Sequence, residues 1–379
     1  MINVLYFHNN VEISGGERSL LALWENLDRT RFCPYLVVPK VGDFSVEAER
    51  LGIVTTVIDI PSLRLGNTRS LYRVWRKLSA LIQINKIDLL HSYAPRNNIL
   101  AALLGKMKGI PVVWHERNLI YGQERDVSRA LSVLPDAVIS NSQAVAMRFL
   151  RGGKIPQKVR VILNGADLQR FHLAIVPSGI REVLGWQDQK IVGLVSNLHP
   201  RKNVEFFLQV ALVISREEKD VSFLVVGGEF GSSGAGEQLR LKALAEHMGI
   251  KERIYFTGAQ SDIRPYLADF DIYCAVTLKE ACSRAMIEAM ACGKPVVALD
   301  DGGNPEIVSD GETGILIAPG DAEAFARGVV RLLQDDPLRQ GLARQGRLRA
   351  EELFDVKQNA ARVQALYDEL LELRRKGQR

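Results

Sequence analysis

Thirteen short apolar runs, separated by helical patterns, follow one another from Asn3 to Pro319. Seven come first: "NVLYF", "PYLVVP", "VTTVI", "DLLHSY", "PVVWHE", "AVISNS" and "VRVILNG". Six more follow: "KIVGLVSN", "SFLVVGG", "RIYFTG", "DIYCAV", "PVVAL" and "GILIAP". Strands this apolar are buried on both faces, and helices such as "ERSLLALWENL" and "NNILAALLGKMKG" supply the crossovers of parallel βαβ units. The restart at Lys190 predicts two doubly wound α/β domains. Their junction is expected in Phe171–Lys190, where Pro177, Ser178 and Gly179 break the pattern. The expected boundaries are residues 1–172 and 173–355. Ligands of such sheets bind beyond the carboxyl ends of the strands, so two facing sheets would form a cleft between the domains.

The length of 379 residues suits two domains, and 47% hydrophobic with 25% charged residues describes a packed globular chain. A net charge of +5 suits an anionic ligand or a membrane surface. It is too diffuse for nucleic acid, because no basic stripe with interleaved aromatics accompanies it. Cys33, Cys274, Cys282 and Cys292 have no metal-type spacing and read as thiols in a reducing cytoplasm. The N-terminal "MINVLYFHNN" starts at once as a strand, and no apolar run reaches the ~18 residues of a spanning helix. A cytoplasmic protein is expected, peripheral to the inner face of a membrane at most.

The chemistry concentrates in Lys279–Ile307, "KEACSRAMIEAMACGKPVVALDDGGNPEI". Ser283 is an N-cap for a helix from Arg284 to Cys292, with Gly293 as its stop. Glu280 then precedes the helix and Glu288 lies within it, on either side of a phosphate-attracting N-terminus. Two carboxylates repel a phosphate, but they suit the neutral hydroxyls on either side of one, as in a nucleoside diphosphate sugar. Solvated helix-end acids are the equal alternative. His115, after "PVVW", could hydrogen-bond a substrate hydroxyl or shuttle a proton, or be structural. Gly15-Gly16 after the first strand could admit a pyrophosphate or form a turn, and no GxGxxG follows that strand. Arg201-Lys202 could neutralise a leaving diphosphate. "GGEFGSSGAGE", Gly227–Glu237, is another strand-end loop. Asp269-Phe270-Asp271 has the spacing of a metal-binding DxD but reads as a helix end before a buried strand, so no metal site is expected. Residues 68–86 place Arg69, Arg73, Arg76 and Lys77 opposite an apolar face, as in helices that lie on anionic membranes.

"EACSRAMIEAMACGKPVVA" is similar to the EX7E segment of retaining GT-B glycosyltransferases of family 4. "GGERSL", "HE", "VILNGADLQRF", "SNLHPRKN", "DDGGNPEIV" and "GETGILIAPGD" occur in that family's order, so the resemblance spans nearly the whole chain. It implies a GT-B fold with the acceptor on the first domain, the nucleotide sugar on the second, and the C-terminal helix 356–379 packed back on the first. It implies a metal-independent hexosyl transfer from a nucleotide sugar, with a UDP-sugar favoured, to a glycan, lipid-linked or small acceptor. Glu288 would take the ribose hydroxyls and Glu280 those of the donor sugar. Backbone N–H groups at Ser283, Arg284 and Ala285, with Lys202, Gly15 and Gly16, would hold the diphosphate, and His115 would touch the sugar. One position departs: Asn197 stands where the family usually carries an arginine. Either Arg201 or Arg284 supplies that charge, or the chain is a nucleotide-sugar-binding subunit that partners an active transferase.

Overall fold

The computed structural model describes residues 1–62, 67–120, 125–231 and 234–377. Ser232 and Ser233 of the Gly227–Glu237 loop, and the last two residues of the 356–379 segment, lie outside the described residues. The chain divides into two compact units: Met1–Asn164 together with the segment from Val356, and Gly165–Asp355.

All thirteen apolar runs form strands. The first unit holds β1 (Ile2–Phe7), β2 (Phe32–Val38), β3 (Val54–Val57), β4 (Leu89–Tyr93), β5 (Val112–Glu116), β6 (Ala137–Ser140) and β7 (Val159–Val161). They make one parallel sheet in the order β3-β2-β1-β4-β5-β6-β7. Val4 and Tyr6 point into one core layer, with Leu20, Leu23 and Trp24. Leu5 and Phe7 point into the other, with Leu78, Ile82, Leu100 and Leu104. Period-two alternation thus feeds two apolar layers, which is why the sequence shows unbroken apolar runs.

The second unit holds β8 (Lys190–Val195), β9 (Val221–Val226), β10 (Ile254–Phe256), β11 (Ile272–Ala275), β12 (Val296–Leu299) and β13 (Ile315–Ile317). They form a parallel sheet in the order β10-β9-β8-β11-β12-β13. In each sheet the order reverses after the first strand, so β1/β4 and β8/β11 are the switch points beside which α/β proteins place ligands.

The division falls at Gly165, ahead of the expected Phe171–Lys190. Ala166 bridges Asp355 and its N–H donates to the Phe354 carbonyl at 2.8 Å, which fastens the chain to the second unit at once. Ser178 then donates its backbone N–H to Asp269 at 3.0 Å, so the Pro-Ser-Gly stretch is packed structure and not a linker. Asp271 is taken up by Arg181 at 2.8 Å and by the Ile191 N–H at 2.8 Å. Both acids of the DxD-like triplet therefore fasten the start of this unit to its sheet.

The helix Val356–Arg375 packs on the first unit, burying Ala360, Val363, Leu366, Tyr367 and Leu370 against Tyr6, Trp24 and Phe32. The basic helix Thr68–Ile84 buries Val74, Leu78 and Ile82 and exposes Arg69, Arg73, Arg76 and Lys77 beside Tyr72 and Ile84. Among the described residues no helix is long and apolar enough to cross a membrane.

Candidate functional site

In the second unit the helix Arg284–Ala291 starts as its sequence dictates. Ser283 is the N-cap, its Oγ accepting the Met286 N–H at 3.3 Å, and Gly293 follows the helix at φ +67°. Glu280 sits in the loop after β11, and Glu288 is buried on the helix. That loop is held by "DDGG". The Gly303 N–H donates to the Glu280 carbonyl at 2.8 Å, and Lys279, itself at φ +49°, donates its N–H to Asp301. Gly302, at φ +61°, passes so close that a Cβ there would lie 2.4 Å from the Glu280 carbonyl oxygen. Any side chain at 302 would push the loop away, which is the physical need for glycine at this position.

Each acid of the pair meets a base. Lys202 Nζ lies 2.6 Å from Glu280 Oε2, and Arg284 donates to Glu288 Oε1 at 2.7 Å one helical turn away. Lys202 ends a short turn, Pro200–Lys202, after β8. Asn203, at φ +58°, donates Nδ2 to the Val276 carbonyl at 3.0 Å, so that turn is fastened to the end of β11, where Glu280 begins. Below the pair, burial, then the charges of Glu288 and Glu280, push the Tyr273 phenol well above its ordinary range. Asn197 is half-buried at the end of β8, and its carbonyl accepts the Ser196 hydroxyl at 3.0 Å. Arg201 is exposed, its backbone N–H donating to His199 Nδ1 at 3.1 Å. Ser283, Arg284 and Ala285 form the half-buried first turn between the two acids. The switch point of this sheet therefore brings together Lys202, Glu280, Ser283, Arg284 and Glu288 from two loops and a helix, up to 86 residues apart in the chain.

In the first unit Gly15 and Gly16 open the helix Gly15–Glu25. Neither has a positive φ, and a Cβ on either would meet no atom within 4 Å. Glycine here costs helix stability, about 0.5–1 kcal/mol each, and nothing in the unit's own packing requires it. Glu17 is buried below, accepting from Asn10 Nδ2 at 2.7 Å and the Ser14 N–H at 2.9 Å, with His8 Nε2 at 3.4 Å.

His115 stands at the carboxyl end of β5, where it is only 8% exposed. Its Nδ1 is 3.2 Å from His91 Nε2, and Tyr93 stacks on both rings at centroid distances of 5.0 and 4.9 Å. Burial, then the Arg117 charge, hold its imidazole well below the usual range. The adjacent Glu116 is structural, accepting from Asn98 at 2.8 Å and Arg148 at 3.0 Å. Sequence reasoning missed His8, His91, Glu17 and Tyr367. The available signal was a histidine inside the otherwise apolar parallel strand "LLHSY", where a polar ring must find an internal partner.

Two family models match the chain: "Glycosyltransferase Family 4" over residues 13–170 and "Glycosyl transferases group 1" over residues 179–349. A UDP-Gal:alpha-D-GlcNAc-diphosphoundecaprenol alpha-1,3-galactosyltransferase of Escherichia coli is 24% identical over 380 residues, covering 95% of each chain. The lipopolysaccharide core biosynthesis mannosyltransferase LpsB of Rhizobium meliloti is 29% identical over 62% of this chain and 66% of its own length. Among solved structures, Anabaena HepE in complex with UDP-glucose superposes with a TM-score of 0.82 at 23% identity, over 97% of this chain and 100% of that one.

Proposed function

The chain belongs to the glycosyltransferases of family 4 and group 1, matched across both of its units, and on that premise we propose a retaining, metal-independent transfer of a hexose from a UDP-sugar to a glycan or lipid-linked acceptor. The observation that carries this reading is the pair of acids on either side of a helix N-terminus, with Lys202 beside the outer one. Glu288 takes the ribose hydroxyls, Glu280 the hydroxyls of the donor sugar, and the N–H groups of Ser283, Arg284 and Ala285 hold the diphosphate between them. Gly15 and Gly16, which no packing of their own unit requires, leave backbone open to close approach by a phosphate. Lys202 exchanges its contact with Glu280 for the leaving phosphate and neutralises the charge that develops there. The acceptor oxygen bonds to the anomeric carbon as the carbon–phosphate oxygen bond breaks on the same face. The diphosphate leaves with that electron pair and takes the acceptor's proton. The UDP named for HepE and for the E. coli relative supports uridine.

A thermal-shift series with UDP, GDP and ADP tests the site. At a hundredfold over its dissociation constant a nucleotide adds about 2.7 kcal/mol to the unit that binds it, and raises its melting point by about several degrees. A rise with UDP that vanishes in Glu288→Ala is expected. The same rise in both proteins, or none with any nucleotide, sinks the assignment.

A lipid-linked acceptor is supported by the helix Thr68–Ile84. Residues 60–87 contain no acid, while Arg69, Arg73, Arg76 and Lys77 stand exposed around Tyr72. Each basic side chain near an anionic surface contributes about 1 kcal/mol. Co-sedimentation with phosphatidylglycerol vesicles is expected, with none on phosphatidylcholine alone, and should be lost when the four basic residues become glutamine. Equal binding to both vesicle types would rule out this contact.

A further inference from the structure

Four buried side chains of the first unit form a continuous hydrogen-bonded chain. Tyr6 Oη lies 3.0 Å from Tyr367 Oη, Tyr367 Oη bonds His91 Nδ1, and His91 Nε2 lies 3.2 Å from His115 Nδ1. Tyr6, His91 and Tyr367 are fully buried. The parallel register sets Tyr6 beside His91 and Tyr93 beside His115, and the helix Val356–Arg375 delivers Tyr367 from the far end of the chain.

Hydrogen-bond accounting gives this chain a direction. Each hydroxyl and each neutral imidazole has one proton to give. If protons point from His115 toward Tyr6, the Tyr6 hydroxyl must donate to a further acceptor. Its only hydrogen-bond partner among the described residues is Tyr367, and a buried donor left without an acceptor costs about 1–3 kcal/mol. If they point the other way, Tyr6 gives to Tyr367, Tyr367 to His91 Nδ1, and His91 Nε2–H to His115 Nδ1, so the one donor left over is on His115, which is 8% exposed where Tyr6 is fully buried. The Nδ1 lone pair of His115 is then occupied, and its proton sits on Nε2. That atom has no hydrogen-bond partner among the described residues.

We propose that Tyr367 and His91 are positioning residues that fix His115 with its proton on Nε2, so that it serves as a neutral hydrogen-bond donor to a substrate oxygen and not as a base. The stacking of Tyr93 on both rings fixes their planes, and the Arg117 charge near His8, His91 and His115 disfavours a second proton on any of them. The inference rests on the glycosyl transfer proposed above and on His115 touching the sugar, as the resemblance to family 4 implies.

Nitrogen-15 NMR of the full chain, labelled in its six histidines, tests it directly, with the His115 signals assigned by their loss in His115→Gln. The expected spectrum shows a neutral Nε2–H tautomer from pH 8 to pH 5. In Tyr367→Phe the tautomer should become mixed and kcat for release of UDP from UDP-sugars should fall about tenfold, the equivalent of 1.4 kcal/mol, with KM little changed. Tyr6→Phe leaves the Tyr367 donor in place and should change neither readout. A wild-type His115 protonated on Nδ1, or one that titrates with an ordinary imidazole pKa, overturns the inference whatever His115 does in catalysis. The expected tautomer with full activity in His115→Ala instead overturns the placement of His115 in the transfer site.

Discussion

Lys202→Ala is expected to lose about two orders of magnitude in kcat while melting within a degree or two of the parent protein. Two magnitudes separate these effects. The Lys202–Glu280 pair is partly open to solvent, with side chains 34% and 21% exposed, and such pairs contribute about 0–1 kcal/mol to stability. A cation aimed at the charge that develops on a leaving group is worth about 2.7–4 kcal/mol in the transition state. The readout is the rate of UDP release against donor concentration. A kcat that stays within threefold of the parent would show that leaving-group charge is handled elsewhere, with Arg201 and Arg284 as the next residues to replace.

The second large effect is acid sensitivity seated in the first unit. Burial, partly offset by Glu17, holds His8 down to about 4, and burial with the Arg117 charge holds His91 down to about 3. His115 is lowered by burial, Arg117 and its two neighbouring imidazoles. These groups stay neutral in the folded unit, whereas in the unfolded chain they take up protons below about pH 6.5. The unfolded state therefore binds more protons as pH falls, and stability is lost in the same direction. Little loss is expected above about pH 7.5, and at pH 6.5, where the unfolded imidazoles are half protonated, each costs about 0.4 kcal/mol. At pH 5, 1.5 units below the unfolded value, His8 and His91 each cost about 2 kcal/mol, and His115 adds a loss in the same direction. Urea unfolding monitored at pH 8, 6.5 and 5 should show a small fall in midpoint between the first two and a much larger drop at the third. A flat profile would show that these rings accept protons without unfolding.

The fold was legible because its signals are local. Each strand announces itself within eight residues, and Ser283, Gly293 and the helix between them follow from capping chemistry alone. The acids were legible as a pair because eight positions separate Glu280 from Glu288 across one loop and one helical turn. What stayed hidden depends on contacts between distant elements. The partner of Glu280 lies 78 residues away, and that of Glu288 is a residue expected to meet phosphate. The place of His115 at a strand end was legible, but nothing in "PVVWHE" shows that β4 brings His91 beneath it, or that Tyr367 arrives from 276 residues beyond His91. The unit boundary was misplaced for the same reason: Pro177 and Gly179 look like a linker until Ser178 is seen bonded to Asp269.

The return of the helix Val356–Arg375 gives the two units different histories during synthesis. Residues 165–355 are contiguous, so this unit has its whole core as soon as Asp355 has been made. The first unit, begun earlier, is finished later. Until the last helix emerges, Tyr6, Trp24 and Phe32 lack the apolar cover that Val363, Leu366 and Leu370 provide, and the His91–Tyr367 bond cannot form. The order of translation is therefore inverted in the order of completion, and a ribosome that stalls after Asp355 releases a finished second unit attached to a sheet with one apolar face open to chaperones or proteases.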